Sequence, residues 1–223
     1  MRSSINRATT IVFLTLAVAV APAAASTIAI GVGVFGPGST LTTFTGLSNG
    51  TEVDGLVVDG IMFDYSLGVG HVIIAAGPFA AGPRITNNVA PPTVVSIGNS
   101  SGMLTLFFPS LIDTFGYGYA VQAGGALANA TTISLFNDAI AVGSMSYNGV
   151  PDPIFTGGFA GIQSTLPFNR ANLTFTNSAP AFAVDNIRTQ AAAARVPDSS
   201  GTLALFGFAA TGIAVVRRRL GRS

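Results

Sequence analysis

Acidic and amide side chains form two clusters that could hold a hard metal ion. The first is the run NGTEVD at residues 49–54, which contains Glu52 and Asp54, and the second is the pair Asp185 and Asn186. Calcium takes its ligands from carboxylates, side-chain amides, hydroxyls and backbone carbonyls, and both segments supply these oxygens. Both clusters are therefore candidates for a calcium site.

The segment AFAVDNIR around Asp185 also carries an irregular strand pattern. Phe182 and Val184 share one face of a strand, but Ile187 joins that face only if the strand bulges near Asp185. Bulges often accompany sites because the extra residue re-aims a side chain. The alternative is a solvated carboxylate at a sheet edge.

Catalytic chemistry has few candidates in this sequence. His71 is the single histidine, and its apolar surroundings GVGHVII favour a structural imidazole over a Ser-His-Asp triad. There is no cysteine, which excludes disulfides, thiolate nucleophiles and thiolate metal sites. A glycosidase needs two carboxylates across a cleft, and no spacing among the acids indicates such a pair. We therefore predict that the protein is not an enzyme and has no catalytic residues.

An aromatic stripe offers another kind of site. Phe115, Tyr117 and Tyr119 alternate with Gly116 and Gly118, so the three rings lie on one face of a strand. Such rings can stack on sugars or fill the core between two sheets. Because Leu, Ile and Phe neighbours surround the stripe, we expect it to lie in the core.

Strands are the elements that must position these residues. The chain has 27 Gly, 12 Pro and 16 Phe with many Val, Ile and Thr, a composition typical of short strands joined by turns. Alternation predicts six inward-facing residues, namely Leu104, Leu106, Ile133, Leu135, Leu173 and Phe175. We predict an all-β fold, a two-sheet β-sandwich of the jelly-roll kind.

Charge is distributed unevenly along the 223 residues. All ten basic residues are arginines, and six of them lie in the terminal segments, leaving four between residues 26 and 195 against eight acids. The body therefore carries a net charge near −4. Without a basic cluster it has no electrostatic footprint for nucleic acid, and we expect no nucleic-acid partner.

Residues 1–25 have the features of a secretory signal peptide. Arg2 and Arg7 precede an apolar stretch at 11–21, and Ala23 and Ala25 supply small residues before Ser26. We expect signal peptidase to cleave between Ala25 and Ser26.

The last 28 residues form a second signal. The segment begins with a polar motif, continues as an apolar run at 202–216 and ends with arginines; the motif residues are Val196, Pro197, Asp198, Ser199, Ser200 and Gly201, and the arginines next to the run are Arg217, Arg218 and Arg219. A 15-residue helix spans about 22 Å, less than the roughly 30 Å hydrocarbon core of a bilayer. Positive charge favours the cytoplasmic side, so the run predicts a short, transient membrane insertion with the body outside.

This three-part tail resembles the VPDSG variant of the PEP-CTERM sorting signals, with Gly201 one place later than in that pattern. The resemblance implies recognition by an exosortase, removal of the tail and delivery to the cell surface or the extracellular polysaccharide matrix of a biofilm.

The body is similar to that of many PEP-CTERM proteins in the segments 44–65, 111–121, 157–175 and 182–189. This resemblance implies a jelly roll like those of carbohydrate-binding modules. In such modules an Asp in a similar late-strand motif often helps to hold a structural calcium. The resemblance therefore points to Asp185 as a calcium ligand, and from the first cluster we choose Glu52 as its partner.

These observations divide the chain into a signal peptide at 1–25, a β-sandwich at 26–188, a linker at 189–195 and a sorting signal at 196–223. We predict a secreted, non-catalytic cell-surface or matrix protein that is structural or binds carbohydrate. An extracellular polysaccharide hydrolase and a protein-binding adhesin are the alternatives.

Overall fold

The computed structural model describes residues 25–76, 89–98, 100–152 and 155–192. The predicted signal helix, the sorting motif at 196–201, the apolar run and the arginines at 217–219 lie outside these residues. In the part of the chain that is described, no helix is long and apolar enough to cross a membrane.

The described residues are almost entirely strand, as the composition predicts. One 3-10 turn occupies Val32–Val34. The strands are β1 (Thr27–Ala29), β2 (Thr40–Thr42), β3 (Val57–Val58), β4 (Ile61–Tyr65), β5 (Val72–Ala75), β6 (Thr93–Ser96), β7 (Met103–Val121), β8 (Leu127–Asn137), β9 (Ile140–Asp152), β10 (Phe155–Phe175) and β11 (Phe182–Ala191).

All strand pairs are antiparallel, and they follow the order β5-β6-β11-β7-β10-β8-β9. β3 and β4 extend the sheet beside β7, while β1 pairs with β10 and β2 pairs with β11. Two strands, β7 and β10, are 19 and 21 residues long and run through the middle of this order.

The long strands β7 and β10 bend and take part in two layers. Residues 114–121 of β7 pair with 156–163 of β10 in a first layer that also holds β5, β6 and β11. Residues 103–107 of β7 pair with 170–174 of β10 in a second layer with β3, β4, β8 and β9. The register of β7 with β10 shifts between these halves, near the pair Ile112 and Phe168.

Aromatic rings join the two layers and make the fold a sandwich. Phe182 of the first layer stacks on Phe175 of the second, with ring centroids 4.0 Å apart and planes at 10°. Tyr65 of β4 lies on the second layer and approaches Phe182 with a centroid distance of 6.1 Å. The predicted two-sheet, all-β architecture is therefore confirmed.

The predicted inward-facing residues are all buried. Leu104, Leu106, Ile133, Leu135, Leu173 and Phe175 are at most 6% exposed. The stripe of Phe115, Tyr117 and Tyr119 is at most 1% exposed, which confirms its core position.

The buried tyrosine hydroxyls have hydrogen-bond partners. The Tyr117 hydroxyl lies 2.5 Å from Thr131 Oγ1, and the Tyr119 hydroxyl donates to the Asn148 carbonyl at 2.9 Å. Desolvation by burial raises the pKa of Tyr117 far above its usual range and that of Tyr119 to about 12. These phenols therefore stay neutral and serve packing.

The glycines between these rings allow close covering of the opposite face. A Cβ at Gly116 would lie 2.6 Å from Phe159 Cζ and 3.0 Å from the Ala160 carbonyl oxygen. Phe159 in turn meets Phe35 edge to face, with centroids 6.0 Å apart. The first layer is thus covered on its outer face by Phe159 and the N-terminal segment.

The predicted boundary between body and linker is wrong by three residues. β11 continues to Ala191, because Thr189 pairs with both Phe115 and Thr40, and Gln190 pairs with Thr114. Backbone pairing on two sides overrides the weak strand tendency of the Ala-rich sequence.

We expect Phe182→Ala to lower the free energy of unfolding by about 3–5 kcal/mol, because it removes a fully buried ring that joins both layers. Val57→Ala is the control: Val57 is 58% exposed, so its change should stay within about 0.5 kcal/mol. Urea denaturation measures both, and a loss below 1 kcal/mol for Phe182→Ala would contradict the packing described here.

Candidate functional site

The predicted bulge in β11 is confirmed. Asp185 pairs with Gly118 and Arg188 with Gly116, so β11 uses three steps where β7 uses two. The extra residue is accommodated at Asn186, whose φ is 49°. The bulge returns Ile187 to the inner face, and Ile187 is fully buried with Phe182 and Val184.

The Asp185 side chain is left buried by this geometry. It is 3% exposed, and its Oδ2 accepts a hydrogen bond from the Ala90 amide at 3.0 Å. Its Oδ1 is buried and has no hydrogen-bond partner among the described residues. Desolvation raises the pKa of this carboxyl to about 6, although the amides of Ala90 and Asn186 oppose the shift. A proton or a cation would satisfy Oδ1.

Glu52 lies elsewhere in the sandwich. It forms an isolated bridge with Ile73 of β5, and β6 lies between β5 and β11, so its backbone is about 14 Å from β11 at the usual strand spacing. Its Oε2 accepts from the Gly70 amide at 2.9 Å and its Oε1 from the Asp54 amide at 3.4 Å. The structure therefore does not bring Glu52 to Asp185.

Metal ligation by Asp185 remains a prediction. Within the described ranges, no three or more His, Asp or Glu side chains are grouped so as to hold an ion. A calcium ion at the bulge would be bound by Asp185 and by oxygens that do not belong to a carboxylate cluster.

The remaining sequence candidates occupy structural positions. His71 is half-buried in the bend before β5, and its carbonyl accepts from the Ile97 amide at 2.8 Å. Ala25 is exposed, whereas Ser26 is tied to the body: its amide donates to Thr165 Oγ1 and its carbonyl accepts from the Thr165 amide, both at 3.0 Å. Cleavage between Ala25 and Ser26 stays a prediction.

The outer face of the second layer carries three parallel rows of side chains, which we call the row face. The cross-strand pairing defines an aromatic row of Val57, Met62, Phe107, Arg170, Phe136 and Ala141, a polar row of Asp64, Thr105, Asn172, Ser134 and Ser144, and a hydroxyl row of Met103, Thr174, Thr132 and Ser146. At the usual strand spacing, the five strands of the polar row span about 19 Å.

The aromatic row has a cation at its centre. The guanidinium carbon of Arg170 lies 4.5 Å from the centroid of the Phe136 ring, a cation–π contact. Phe107 and Phe136 are half-buried and Met62 is 42% exposed, so the row presents apolar surface to solvent.

The other two rows present hydrogen-bonding groups at fixed positions. Ser134 and Ser144 join through their hydroxyls at 3.0 Å, and Thr132 and Ser146 join likewise at 2.8 Å. Asn172 Oδ1 is buried and has no hydrogen-bond partner in the described part of the chain. The Ser144 hydroxyl also donates to the Ile133 carbonyl at 2.9 Å, and Thr105 is 4% exposed, so a ligand would meet mainly the outer hydroxyls of these rows.

No sequence motif marks the residues of the row face. Phe107, Asn172 and Thr174 alternate with the predicted inward residues, and this alternation is the signal that the sequence offers. The order of the strands is not visible in the sequence, and only the pairing of β7, β10 and β8 turns single outward residues into rows.

A groove of about 620 Å³ opens on the outer face of the first layer. Its walls are mostly apolar and include Ile73, Val95 and Phe155. Two of its polar groups are already engaged: Asn49 Oδ1 accepts from the Ala76 amide at 3.0 Å, and Ser96 Oγ from the Phe182 amide at 2.9 Å. The row face exposes more polar side chains, among them Asp64, Thr174, Ser144 and Ser146, so it is the stronger candidate for a polar ligand.

Residues 195–220 match the VPDSG-CTERM motif, so this chain carries a PEP-CTERM-type sorting domain there. The motif implies export, a partner in the sorting machinery, and a surface or extracellular location. No curated protein matches the chain.

Solved structures similar to this chain include carbohydrate-active β-proteins. A mutant of a family 29 carbohydrate-binding module has 12% identity and a TM-score of 0.33, with 68% of this chain and 90% of that chain covered. The catalytic domain of a GH87 alpha-1,3-glucanase in complex with nigerose has 13% identity and a TM-score of 0.34, with 74% of this chain and 30% of that chain covered. Because both TM-scores are low, the sandwich fold is assigned from the strand pairing and the contacts between the two layers.

Asp185 should make stability depend on pH. Because folding raises the pKa of this carboxyl from 3.8 to about 6, its ionisation destabilises the native state. The favourable contribution is complete below about pH 4 and is lost as pH rises through about 6, a loss of about 3 kcal/mol. In chelator, Asp185→Asn should remove this part of the pH dependence and raise the free energy of unfolding at pH 7. Urea denaturation from pH 4 to 7 measures the effect.

Two comparisons complete that experiment. Asp64→Asn, at an exposed position, should leave the pH profile unchanged, and a parallel profile for Asp185→Asn would refute the effect.

If calcium binds at Asp185, a hundredfold excess over Kd should stabilise the wild type by about 2.7 kcal/mol at pH 7 and stabilise Asp185→Asn less. Identical wild-type curves in calcium and chelator would contradict the calcium site alone.

Proposed function

We propose that this exported protein binds an extended glycan along the row face and does not cleave it. It would act as a structural or carbohydrate-binding component of the cell surface or of an extracellular polysaccharide matrix. The observation that carries the proposal is the juxtaposition of an aromatic row with a polar row on one open sheet face.

Sugar rings have an apolar face of C–H groups and a rim of hydroxyls, and the two rows complement both. Phe107 and Phe136 offer half-buried rings for stacking, while Asn172, Ser134 and Ser144 offer hydrogen bonds one row away. Adjacent rows are separated by two residues along a strand, or about 7 Å. A ligand that crosses the strands can therefore touch both rows at once.

The distribution of acids favours binding over hydrolysis. Most glycosidases place two carboxyl groups about 5–9.5 Å apart around the scissile bond, and Asp64 is the only acid in the three rows. Both Glu52 oxygens accept backbone amides, and Asp54 Oδ1 accepts the Tyr65 amide at 2.8 Å. These acids are occupied in holding loops.

Export to the surface would proceed in two steps. Signal peptidase would free Ser26, and an exosortase would then remove the tail after the apolar run at 202–216 has inserted briefly in the membrane, held by Arg217 and its neighbours. The matched sorting motif supports this order of events.

Phe107→Ala and Asn172→Ala should each weaken glycan binding about tenfold, or about 1.4 kcal/mol, because each removes one type of contact from the row face. Ile28→Ala is the matched control: Ile28 is 55% exposed on β1, beside the first layer, and its change should leave affinity unaltered. A glycan array followed by titration calorimetry measures the effect.

The outcomes of that experiment separate the alternatives. Release of reducing ends from a bound polymer would replace the proposal with a hydrolase. Binding to no glycan would overturn it and favour a protein-binding adhesin. Binding that both row-face variants retain in full would place the site elsewhere on the molecule.

In a host that carries an exosortase, surface protein should lack peptides from residues 202–219, whereas deletion of the exosortase should retain them. Intact-mass analysis of surface material checks this and should also give an N-terminus at Ser26. Persistence of the tail in the exosortase-bearing host would instead indicate a permanent anchor.

A further inference from the structure

We propose that the row face selects a carboxylated polysaccharide, such as a uronic acid polymer, and that Arg170 binds its carboxylate. This inference rests on the proposed function of glycan binding and adds the chemical class of the ligand. It depends on the position, stacking and neighbours of one side chain.

Arg170 lies at the centre of the face. β10 is flanked by β7 and β8, where Arg170 pairs with Phe107 on one side and Phe136 on the other. A ligand lying along the aromatic row must therefore pass over its guanidinium. Most other members of that row are apolar, so Arg170 supplies its only charge.

The cation–π contact of Arg170 with Phe136 leaves the N–H donors of the guanidinium unused. The guanidinium carbon lies 4.5 Å from the ring centroid, and this contact consumes no hydrogen bond. Those donors match the two oxygens of a carboxylate, an arrangement that a point charge such as lysine cannot reproduce.

Among the described residues, the Arg170 Nε is buried without a hydrogen-bond partner. The terminal N–H groups of the guanidinium are the donors that would meet a ligand. A partly desolvated cation without a counter-charge is costly, and an anionic ligand would supply what the protein does not.

Two acids of the second layer, Asp64 and Asp138, form no ion pair with Arg170 among the described residues. Asp64 stands on β4, two strands from β10 and one row away, which puts its backbone about 10 Å or more from that of Arg170. Asp138, in the turn between β8 and β9, accepts a hydrogen bond from Asn169 Nδ2 at 2.7 Å, and its amide donates to Asn169 Oδ1 at 2.9 Å.

The polar row gives the same ligand its remaining contacts. Asn172 is two residues from Arg170 on the same side of β10, and its Oδ1 is buried without a hydrogen-bond partner among the residues described. A hydroxyl next to the carboxylate of a sugar can donate to this oxygen once the Asn172 amide turns toward the face, while the carboxylate meets Arg170. A neutral sugar would satisfy Asn172 and leave Arg170 unpaired.

Non-specific attraction does not explain such a preference. The body carries four arginines against eight acids, so its overall field repels polyanions. Any gain for an acidic polymer must come from a local contact.

The test compares three acidic polymers with their own carboxyl-reduced, neutral forms: polygalacturonate, alginate and hyaluronan. We expect the wild-type chain to bind at least one acidic polymer about 10- to 100-fold more tightly than its reduced form, the range for a hydrogen-bonded charged pair. Arg170→Gln should abolish this difference while retaining affinity for the reduced polymer. Arg170→Lys should recover only part of it.

Arg188→Gln is the matched control, since Arg188 pairs with Gly116 in the first layer and should not affect the preference. Equal wild-type affinity for an acidic polymer and its reduced form overturns this inference and leaves glycan binding standing. A preference that survives Arg170→Gln overturns the assignment of the residue. Absence of binding to every member of all pairs overturns the inference, and a glycan array on the same sample then decides whether glycan binding itself survives.

Discussion

The antiparallel pairing of β7 with β10 is the constraint on which the rest of the sandwich depends. These two strands run through both layers, so one register decides which side chains point inward in each. In the first layer it aligns Tyr117 with Ala160 on the inner face, and in the second it aligns Leu104 with Leu173. Because side chains alternate along a strand, a slip by one residue would turn both cores outward. The shift at the pair Ile112 and Phe168 is reversed before Phe107 pairs with Arg170, so the same register holds on both sides of the bend.

The two outer faces differ because different side chains alternate with the core residues. In the first layer the residues opposite the aromatic stripe are Gly116 and Gly118, and Phe159 and the N-terminal segment lie over this bare backbone. In the second layer the corresponding positions hold Thr105, Asn172 and Ser134, and they form the middle of the row face. The same long strands thus present a covered face in one layer and an open polar face in the other.

Local patterns predicted much of this molecule. Alternation identified inward residues such as Leu106 and Ile133, and the misfit of Ile187 predicted the bulge at Asp185, because both signals lie within a few consecutive residues. The row face could not be predicted, since Phe107, Arg170 and Phe136 become neighbours only through pairings between strands far apart in sequence. Glu52 was predicted as the partner of Asp185 because its segment is rich in oxygen ligands, and strand order separates the two residues. The end of β11 at Ala191 depends on pairing with β2 and β7, which the Ala-rich sequence does not reveal.

Ser26 and Ala192, near the two ends of the described chain, both contact the bend in β7 and β10. Ser26 pairs with Thr165, and the Ala192 amide donates to the Leu111 carbonyl at 3.3 Å, so both contacts are made at the turn-over of the two long strands. Before the tail is removed, a membrane insertion that continues from residue 192 would hold the sandwich by this end, with the opposite end, around residues 122–126, pointing away from the membrane. The strands would then stand upright on the surface. A polymer lying across them along the row face would then run parallel to the membrane surface.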